Sequence, residues 1–266
     1  MFESFKKILR PQPPAPAPAV PPGERVYAVG DIHGCRELFV TLLTAIDADD
    51  RARGAAHTTI VLLGDPIDRG PDSAGVIDDV RAAAMYWNLR ILQGNHEEMF
   101  LRSFDSVDVL RNFLRYGGRE TVLSYPLERA DWDTASLEQA QAVMRACVPE
   151  ADLEFIRGFE DRIAIGDYVF VHAGVRPGVA LFNQSTSDLR WIREPFLSCP
   201  DDYGFVVVHG HTITEHPVIR ANRIGIDTGA YASGRLTALG LEGTDRWLIG
   251  TRPVDDAFVC EQAVAC

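Results

Sequence analysis

The sequence is short of cysteine, of basic residues and of long apolar runs, and each shortage argues against a class of protein. Only 5 of its 266 residues are cysteines, without a C-x-x-C spacing, so we interpret them as reduced thiols rather than disulfides. Lys and Arg total 26 against 38 Asp and Glu, and the net charge of −12 argues against nucleic acid as the main partner. Because no apolar run could cross a bilayer and no apolar signal segment is present, we expect a cytoplasmic protein without an integral membrane segment.

The Pro- and Ala-rich stretch at residues 11–22, PQPPAPAPAVPP, differs in composition from everything that follows it. Such a sequence favours an extended, polyproline-like spacer that cannot join a packed core. We therefore predict a disordered N-terminal tail over residues 1–22 and a single folded domain over residues 23–266. The last segment of that domain, 241–266, is expected to hold one final strand and a tail.

From Glu24 onwards, short apolar runs alternate with stretches of helical periodicity. Runs rich in Val, Ile and Leu are predicted strands because strands buried on both faces have this composition; they are Val26–Val29, Thr59–Leu63, Leu89–Leu92, Tyr168–Val171, Phe205–Val208 and Arg223–Ile226. Amphipathic stretches separate the first three runs, so the order β-α-β-α-β predicts a largely parallel sheet in the first half. Helical patterns recur over Glu97–Tyr116 and Pro149–Phe159, and the sequence from Ile163 on is predicted to be mostly strands and loops.

Polar residues with flanking glycines follow five of these predicted strands. The motifs are Gly30–Gly34 (GDIHG), Gly64–Gly70 (GDPIDRG), Gly94–Glu97 (GNHE), His172–Gly174 (HAG) and His209–Thr212 (HGHT). Ligands of open α/β sheets bind outside the carboxyl ends of the strands, so these side chains are expected to meet in one crevice. Five of the 7 histidines lie in the motifs, which favours a metal site over unrelated structural uses.

The ligand chemistry of the motifs is mixed oxygen and nitrogen, without thiolate. Such a set suits Mn, Fe or Zn. Six candidate ligands are too many for one catalytic ion that must keep an open position, but they suit two ions about 3.5–4 Å apart.

Taken together and in this order, the five motifs resemble the metal-dependent phosphoprotein phosphatase family of Ser/Thr phosphatases, within the calcineurin-like metallophosphoesterase superfamily. The resemblance covers nearly all of residues 24–240 and is greatest to the small bacterial and phage members. It implies an α/β fold in which a central β-sandwich of mixed sheets is flanked by helices, with the site at the strand C-terminal ends. It also implies an enzyme that hydrolyses phosphoserine, phosphothreonine and, in some members, phosphotyrosine by direct attack of a metal-bridging hydroxide.

The same resemblance implies a role for each motif residue. Two divalent ions, Mn first and Fe or Zn as alternatives, would be held by Asp31, His33, Asp65, Asn95, His172 and His211, with Asp65 as the bridge. Arg69 would grip the phosphoryl oxygens, and Arg193 is a second candidate for that contact. His96 would be the general acid that protonates the leaving alkoxide, and Asp68 would keep it charged and oriented.

Two positions are left open or depart from the pattern. His209 either orients a neighbouring ligand or simply satisfies a buried hydrogen bond. Pro66 stands where many relatives carry Tyr or Leu, a change that we expect to be tolerated because it lies beside Asp65 and is not itself a ligand.

Three alternative functions are compatible with parts of this pattern. The symmetrical diadenosine tetraphosphate hydrolases share two of the motifs but commonly carry a small residue at the position of Asp68, so Asp68 favours the phosphatase. Cyclic-nucleotide phosphodiesterases tend to have Asp where this chain has Glu97. An inactive phosphate-binding module would lack a ligand or the acid, and none is missing. The sequence does not determine the oligomeric state or the physiological substrate.

Overall fold

The computed structural model describes residues 16–255 and 257–264, and the remainder of the predicted N-terminal tail lies outside this range. Within the described part, the tail is packed further than its composition predicted. Val20 is 2% exposed and packs in the apolar core, and its backbone N–H donates to the carbonyl of Gly243 at 2.9 Å. The prediction that the tail stays outside the packed core up to residue 22 is therefore wrong for Val20. This apolar residue, which stands among prolines and alanines, is buried between the two sheets.

The first half of the domain alternates strands and helices as predicted. Its elements are β1 (Glu24–Val29), α1 (Arg36–Arg53), β2 (His57–Leu62), α2 (Ser73–Ala83) and β3 (Asn88–Ile91). Strand β1 pairs in parallel with β2, and β2 pairs in parallel with β3, which confirms the parallel sheet. No helix among the described residues is long and apolar enough to cross a membrane.

A helical region follows, in agreement with the periodicity at Glu97–Tyr116 and Pro149–Phe159. Its helices are α3 (Asn95–Ser103), α4 (Val107–Phe113), a π-helical turn (Leu114–Gly118), α5 (Arg119–Ser124), α6 (Arg129–Asp133), α7 (Leu137–Cys147) and α8 (Glu150–Arg157). Helix α7 was not predicted, although Ser136 and Gln139 form a capping box at its start, which is a recognisable signal in the sequence.

The second half is mostly strands. Its elements are β4 (Ile163–Ile165), β5 (Tyr168–Phe170), a 3₁₀ turn (Leu181–Asn183), α9 (Thr186–Trp191), β6 (Val206–His209), β7 (Val218–Ile219), β8 (Arg223–Gly225), α10 (Ala230–Ser233), β9 (Thr237–Glu242), β10 (Asp245–Val254) and β11 (Ala257–Val264). The expectation of a single last strand and a tail over residues 241–266 is wrong, because β10 and β11 form a long antiparallel hairpin. Alternate burial of Trp247, Ile249 and Thr251 is the period-two signal of that hairpin.

Two mixed sheets face each other, as the resemblance implied. One has the strand order β11-β10-β9-β1-β2-β3 and the other the order β4-β5-β6-β8-β7. Successive residues of β1 serve opposite faces: Val26 and Ala28 pack between the sheets, whereas Tyr27 and Val29 pack against the helices. This sandwich brings the loops after β1, β2, β3, β5, β6 and β8 to one edge, where the predicted site residues lie.

Candidate metal centre and phosphoryl site

The loops that carry the site are held in an uncommon backbone conformation. Six non-glycine residues among those described have positive φ, and five of them are predicted site residues: His33 (48°), Asp65 (50°), Asp68 (73°), Arg69 (68°) and His211 (63°). L-residues seldom adopt this region, and such strain persists only where the surrounding structure imposes it. The side chains of these five residues are buried or partly buried in the site.

Asp65 lies at the centre of the site. Its Oδ2 is 3.4 Å from Nε2 of His172, 3.7 Å from Nε2 of His33 and 3.9 Å from Nε2 of His96. Burial opposes ionisation of this carboxyl, but the surrounding imidazoles of His172, His96 and His33 outweigh it and hold the pKa of Asp65 below its usual range. The carboxylate is thus placed between two groups of potential metal ligands, one around His33 and one that includes His172 and His211.

Backbone carbonyls orient two of the imidazoles. Nδ1 of His33 donates to the carbonyl of Ile67 and Nδ1 of His172 to that of Leu63, both at 2.8 Å. Burial lowers the pKa of both histidines although Asp65 opposes the shift. In the neutral form, with the proton on Nδ1, Nε2 carries a lone pair directed into the site. A second acceptor, the Asn95 amide oxygen, lies 2.9 Å from Nε2 of His172. Two acceptors that converge in this way repel each other unless a cation lies between them.

His211 provides a further free lone pair. Its Nε2 is buried and has no hydrogen-bond partner among the described residues, and burial together with His172 lowers the pKa of His211 to about 3. Orphaned neutral imidazole nitrogen, carboxylate and amide oxygen are together a donor set that fits Mn, Fe or Zn. The residues present therefore fit the two-ion centre, while they leave the identity of the metal open.

Asp31 is less directly placed than predicted. Its carboxylate accepts hydrogen bonds from the backbone N–H of His211, at 3.0 Å to Oδ2, and it does not belong to either of the two ligand groups. Burial, the neighbouring carboxyl of Asp227 and that of Asp65 raise the pKa of Asp31 well above its usual value. The structure thus brings five of the six predicted ligands together and places Asp31 beside them, against Asp227.

His96 and Asp68, the candidate general acid and its candidate partner, are in direct contact. Nδ1 of His96 is 2.6 Å from Oδ2 of Asp68, and both side chains are buried. Burial disfavours the charged imidazole, but the carboxylates of Asp65 and Asp68 outweigh it and raise the pKa of His96. The other oxygen of Asp68 accepts from the hydroxyl of Thr121 at 2.6 Å.

The Arg69 guanidinium lies across the mouth of the site. Its nitrogens lie 2.9 Å from Nε2 of His33 and 3.0 Å from Nε2 of His96. Its Cζ lies 4.8 Å from the centroid of the Tyr231 ring, which is a cation–π contact. Its planar fork is suited to two oxygens of a phosphoryl group. The second candidate, Arg193, is exposed, and its side chain makes no hydrogen bond to any described residue, although its charge helps to lower the pKa of His211.

The contacts of His209 and Pro66 are structural. His209 is buried, with Nδ1 3.0 Å from the Gly210 carbonyl and Nε2 3.3 Å from the Arg223 guanidinium, so the buried-hydrogen-bond alternative fits its contacts. Pro66 accepts a hydrogen bond from Gly34 at 2.9 Å through its carbonyl, a role that needs no N–H group.

Sequence reasoning gave no role to four contributors. Thr121 and Ser73 both hold the backbone N–H of Asp68, Asp227 lies against Asp31, and Glu97 accepts from the backbone N–H groups of Asp65 and Gly94. Asp227 follows a predicted strand and could have been found in that way. Thr121 lies on α5, where nothing in the local pattern distinguishes it.

The chain matches one protein-family model over most of its length, and known proteins are similar to it in sequence and in fold. Residues 24–232 match the family model of the calcineurin-like phosphoesterases. The chain is 30% identical over 225 residues to serine/threonine-protein phosphatase 1 of Salmonella typhimurium, covering 80% of this chain and 89% of that protein. It is 26% identical over 232 residues to an asymmetrical bis(5′-nucleosyl)-tetraphosphatase of Bacillus velezensis, covering 79% and 86%. A solved structure provisionally named a diadenosine tetraphosphatase shares the fold, with a TM-score of 0.58 at 19% identity over 94% of this chain and 100% of that one.

Proposed function

The chain belongs to the calcineurin-like phosphoesterase family, and on that premise we propose that it is a metal-dependent protein phosphatase. Its substrates in this proposal are phosphoserine and phosphothreonine monoesters, with phosphotyrosine as a further substrate, and hydrolysis is direct, without a phosphoenzyme. The free cysteines Cys35, Cys147, Cys199 and Cys260 favour a reducing, cytoplasmic setting.

The observation that carries the proposal is the buried His96–Asp68 pair beside the ligand groups. A serine or threonine alkoxide is a poor leaving group and departs much faster when it receives a proton, whereas a nucleoside phosphate leaves readily as an anion. An imidazole whose pKa is raised by Asp65 and Asp68 is suited to donate that proton. A buried general acid of this kind therefore accelerates hydrolysis most for alkyl phosphomonoesters.

The metal ligands in this proposal are Asp31, His33, Asp65, Asn95, His172 and His211. When bound, two divalent ions, Mn by our preference, would lower the pKa of the attacking water and neutralise charge on the phosphoryl oxygens. Because Nδ1 of both His33 and His172 is held by a backbone carbonyl, each presents Nε2 without rotation of the ring.

Arg69 couples substrate binding to the acid. A guanidinium 3.0 Å from Nε2 of His96 donates towards that nitrogen, so Nε2 can carry a proton only when Arg69 turns away from it. A phosphoryl group attracts the guanidinium more strongly than a neutral imidazole does. Substrate binding would therefore draw Arg69 from His33 and His96 and leave His96 free to hold the proton that the alkoxide needs.

Hydrolysis of dinucleoside tetraphosphates is the second candidate. It is favoured by the similarity to the Bacillus velezensis tetraphosphatase, which covers nearly as much of the chain as the similarity to the Salmonella typhimurium phosphatase. The same metal ligands and Arg69 could serve that reaction, since both are phosphoryl transfers to water.

Phosphate release by the metal-stripped chain, with and without added Mn, distinguishes the two candidates. A phosphoserine peptide and diadenosine tetraphosphate are offered in parallel. We expect Mn-dependent release from the peptide at a higher kcat/KM than cleavage of the dinucleotide. A clear preference for the dinucleotide would overturn the protein-phosphatase proposal and retain the metal site.

A further inference from the structure

An open groove of about 520 Å³ adjoins the phosphoryl site on the side of the helical region. Its walls include three arginines, Arg69, Arg115 and Arg119, and two tyrosines, Tyr116 and Tyr231. Because Arg69 lines the groove and also contacts His33 and His96, the groove lies next to the candidate reacting centre. We call this surface the basic groove.

The wall of the basic groove is fastened to Arg69 by the π-helical turn. Gly117 has φ of 111°, and its carbonyl accepts from the backbone N–H of Arg69 at 3.0 Å. A Cβ at position 117 would lie 2.6 Å from Cγ of Arg69. The segment that carries Arg115 and Arg119 is therefore held in a fixed position relative to the residue that grips phosphate.

The basic groove is positively charged, whereas the whole chain has a net negative charge. Arg115 forms no ion pair with any described residue, and Arg119 has only an exposed contact to Asp133, at 3.2 Å. Exposed pairs of this kind contribute little to stability, so Arg119 can readily exchange Asp133 for another anion. Glu120 also lines the groove, so its local balance is three guanidinium groups against one carboxylate in a chain of net charge −12.

Aromatic rings border the same surface. Tyr116 is 53% exposed and Tyr231 is 41% exposed, and neither is needed to fill the core. Exposed tyrosine beside arginine provides flat apolar area and hydrogen-bonding groups with little loss of side-chain entropy, as in other recognition surfaces.

We propose that the basic groove binds acidic side chains next to the phosphorylated residue of a peptide substrate, and so selects acidic phosphopeptides. This inference rests on the proposed phosphatase function. An extended peptide advances about 3.3 Å per residue, so a carboxylate only a few positions from the phosphoresidue can reach Arg115 or Arg119 while the phosphoryl group remains at Arg69. The His96–Asp68 acid favours an alkyl ester at the reacting centre, which makes a peptide rather than a polyphosphate chain the expected occupant.

The test compares two phosphoserine peptides that differ only in flanking Asp against Asn, using the full chain supplied with Mn. We expect the wild-type protein to have the higher kcat/KM on the acidic peptide and this preference to fall with rising salt, because the groove is open to solvent. In the double variant Arg115→Gln/Arg119→Gln, the acidic peptide should lose about 5- to 30-fold more in kcat/KM than the neutral one, from two exposed pairs. Arg51→Gln is the matched control: this arginine is exposed, pairs with Asp47 and lies near the C-terminal end of α1.

Other results would overturn the inference in distinguishable ways. Equal rates of the wild-type protein on both peptides, or equal losses in the double variant, would remove the basic groove as a reader of acidic residues while the phosphatase proposal stands. Cleavage of diadenosine tetraphosphate that depends on Arg115 and Arg119, with no turnover of either peptide, would overturn both proposals and assign the groove to phosphates.

Discussion

Nδ1 of His96 lies 2.6 Å from Oδ2 of Asp68, and the second oxygen of that carboxylate is bound by the hydroxyl of Thr121. Three side chains from three separate segments thus form one buried chain of hydrogen bonds that ends in the site. Its outer end is Nε2 of His96, which in the proposed mechanism gives a proton to the leaving group. The first three predictions test this chain of contacts.

The loss of kcat on substitution of His96, the proposed acid, should depend on the leaving group of the substrate. His96→Asn should lower kcat on a phosphoserine peptide about 10²- to 10⁴-fold, the usual contribution of a general acid, and lower it far less on p-nitrophenyl phosphate, whose phenolate needs no proton. Steady-state rates on the two substrates measure the difference. Equal losses on both would remove His96 as the acid.

The pH profile should follow the charge at Asp68. His96 acts while protonated, so kcat should fall as pH rises through its pKa, which Asp65 and Asp68 hold above the ordinary value. Asp68→Asn removes one of these charges, and the alkaline limb of kcat should then move to lower pH. Asp47→Asn, an exposed carboxylate on α1 paired with Arg51, is the control and should leave the limb in place. An unmoved limb in Asp68→Asn would mean that another group sets it.

Thr121 should act by positioning Asp68 through its hydroxyl. Its oxygen donates to Oδ1 of Asp68 at 2.6 Å and accepts from the backbone N–H of Asp68 at 2.8 Å. Thr121→Val should cost about 1–3 kcal/mol of unfolding free energy, since buried polar groups lose a partner, and should shift the pH profile in the same direction as Asp68→Asn. Thr121→Ser keeps the hydroxyl and should restore the profile. If Val and Ser variants share one profile, the role of Thr121 is only structural.

Metal binding should raise thermal stability through the predicted ligands. Mn at about 100 times its Kd stabilises a protein by about 2.7 kcal/mol, which is about 5–10 °C in Tm for a chain of this size. His172→Ala removes a ligand and should abolish most of this shift, while the exposed His57→Ala should retain it. Thermal unfolding with and without Mn measures both. A full shift in His172→Ala would place the ion elsewhere.

A glycine pair separates backbone strain from contact with Arg69. Gly117 and Gly54 both have positive φ, at 111° and 87°, but only at Gly117 would a Cβ collide with Arg69, because nothing lies within 4 Å of the Cβ position at Gly54. Each substitution by Ala should cost about 1 kcal/mol of stability from the backbone alone. Only Gly117→Ala should also lower kcat/KM, by displacing Arg69. Full activity in both variants would show that the turn tolerates the added methyl group.

The local pattern was sufficient for much of the fold. The strands β1, β2, β3, β5, β6 and β8 were predicted within two residues at each end, because their apolar runs and bounding glycines lie close together in the chain. The final hairpin was not predicted, although the buried Trp247 and Ile249 are two residues apart, as in a strand. The burial of Val20 was not predicted because the segment around it has the composition of a spacer. In both cases the partner that buries the residue lies far away in the sequence.

For the site, the sequence by itself determined which residue types stand at the strand ends and, through the order of the motifs, the family to which the chain belongs. Only the tertiary structure decided how these residues are arranged. In it Asp65 lies among three imidazoles, Asp31 lies next to Asp227, and Thr121 donates a hydrogen bond to Asp68. It also decided that Arg115 and Arg119 share a groove with Arg69. Short motifs fix chemistry within a few residues, but distances, burial and local charge arise only when segments far apart in the chain are packed against one another.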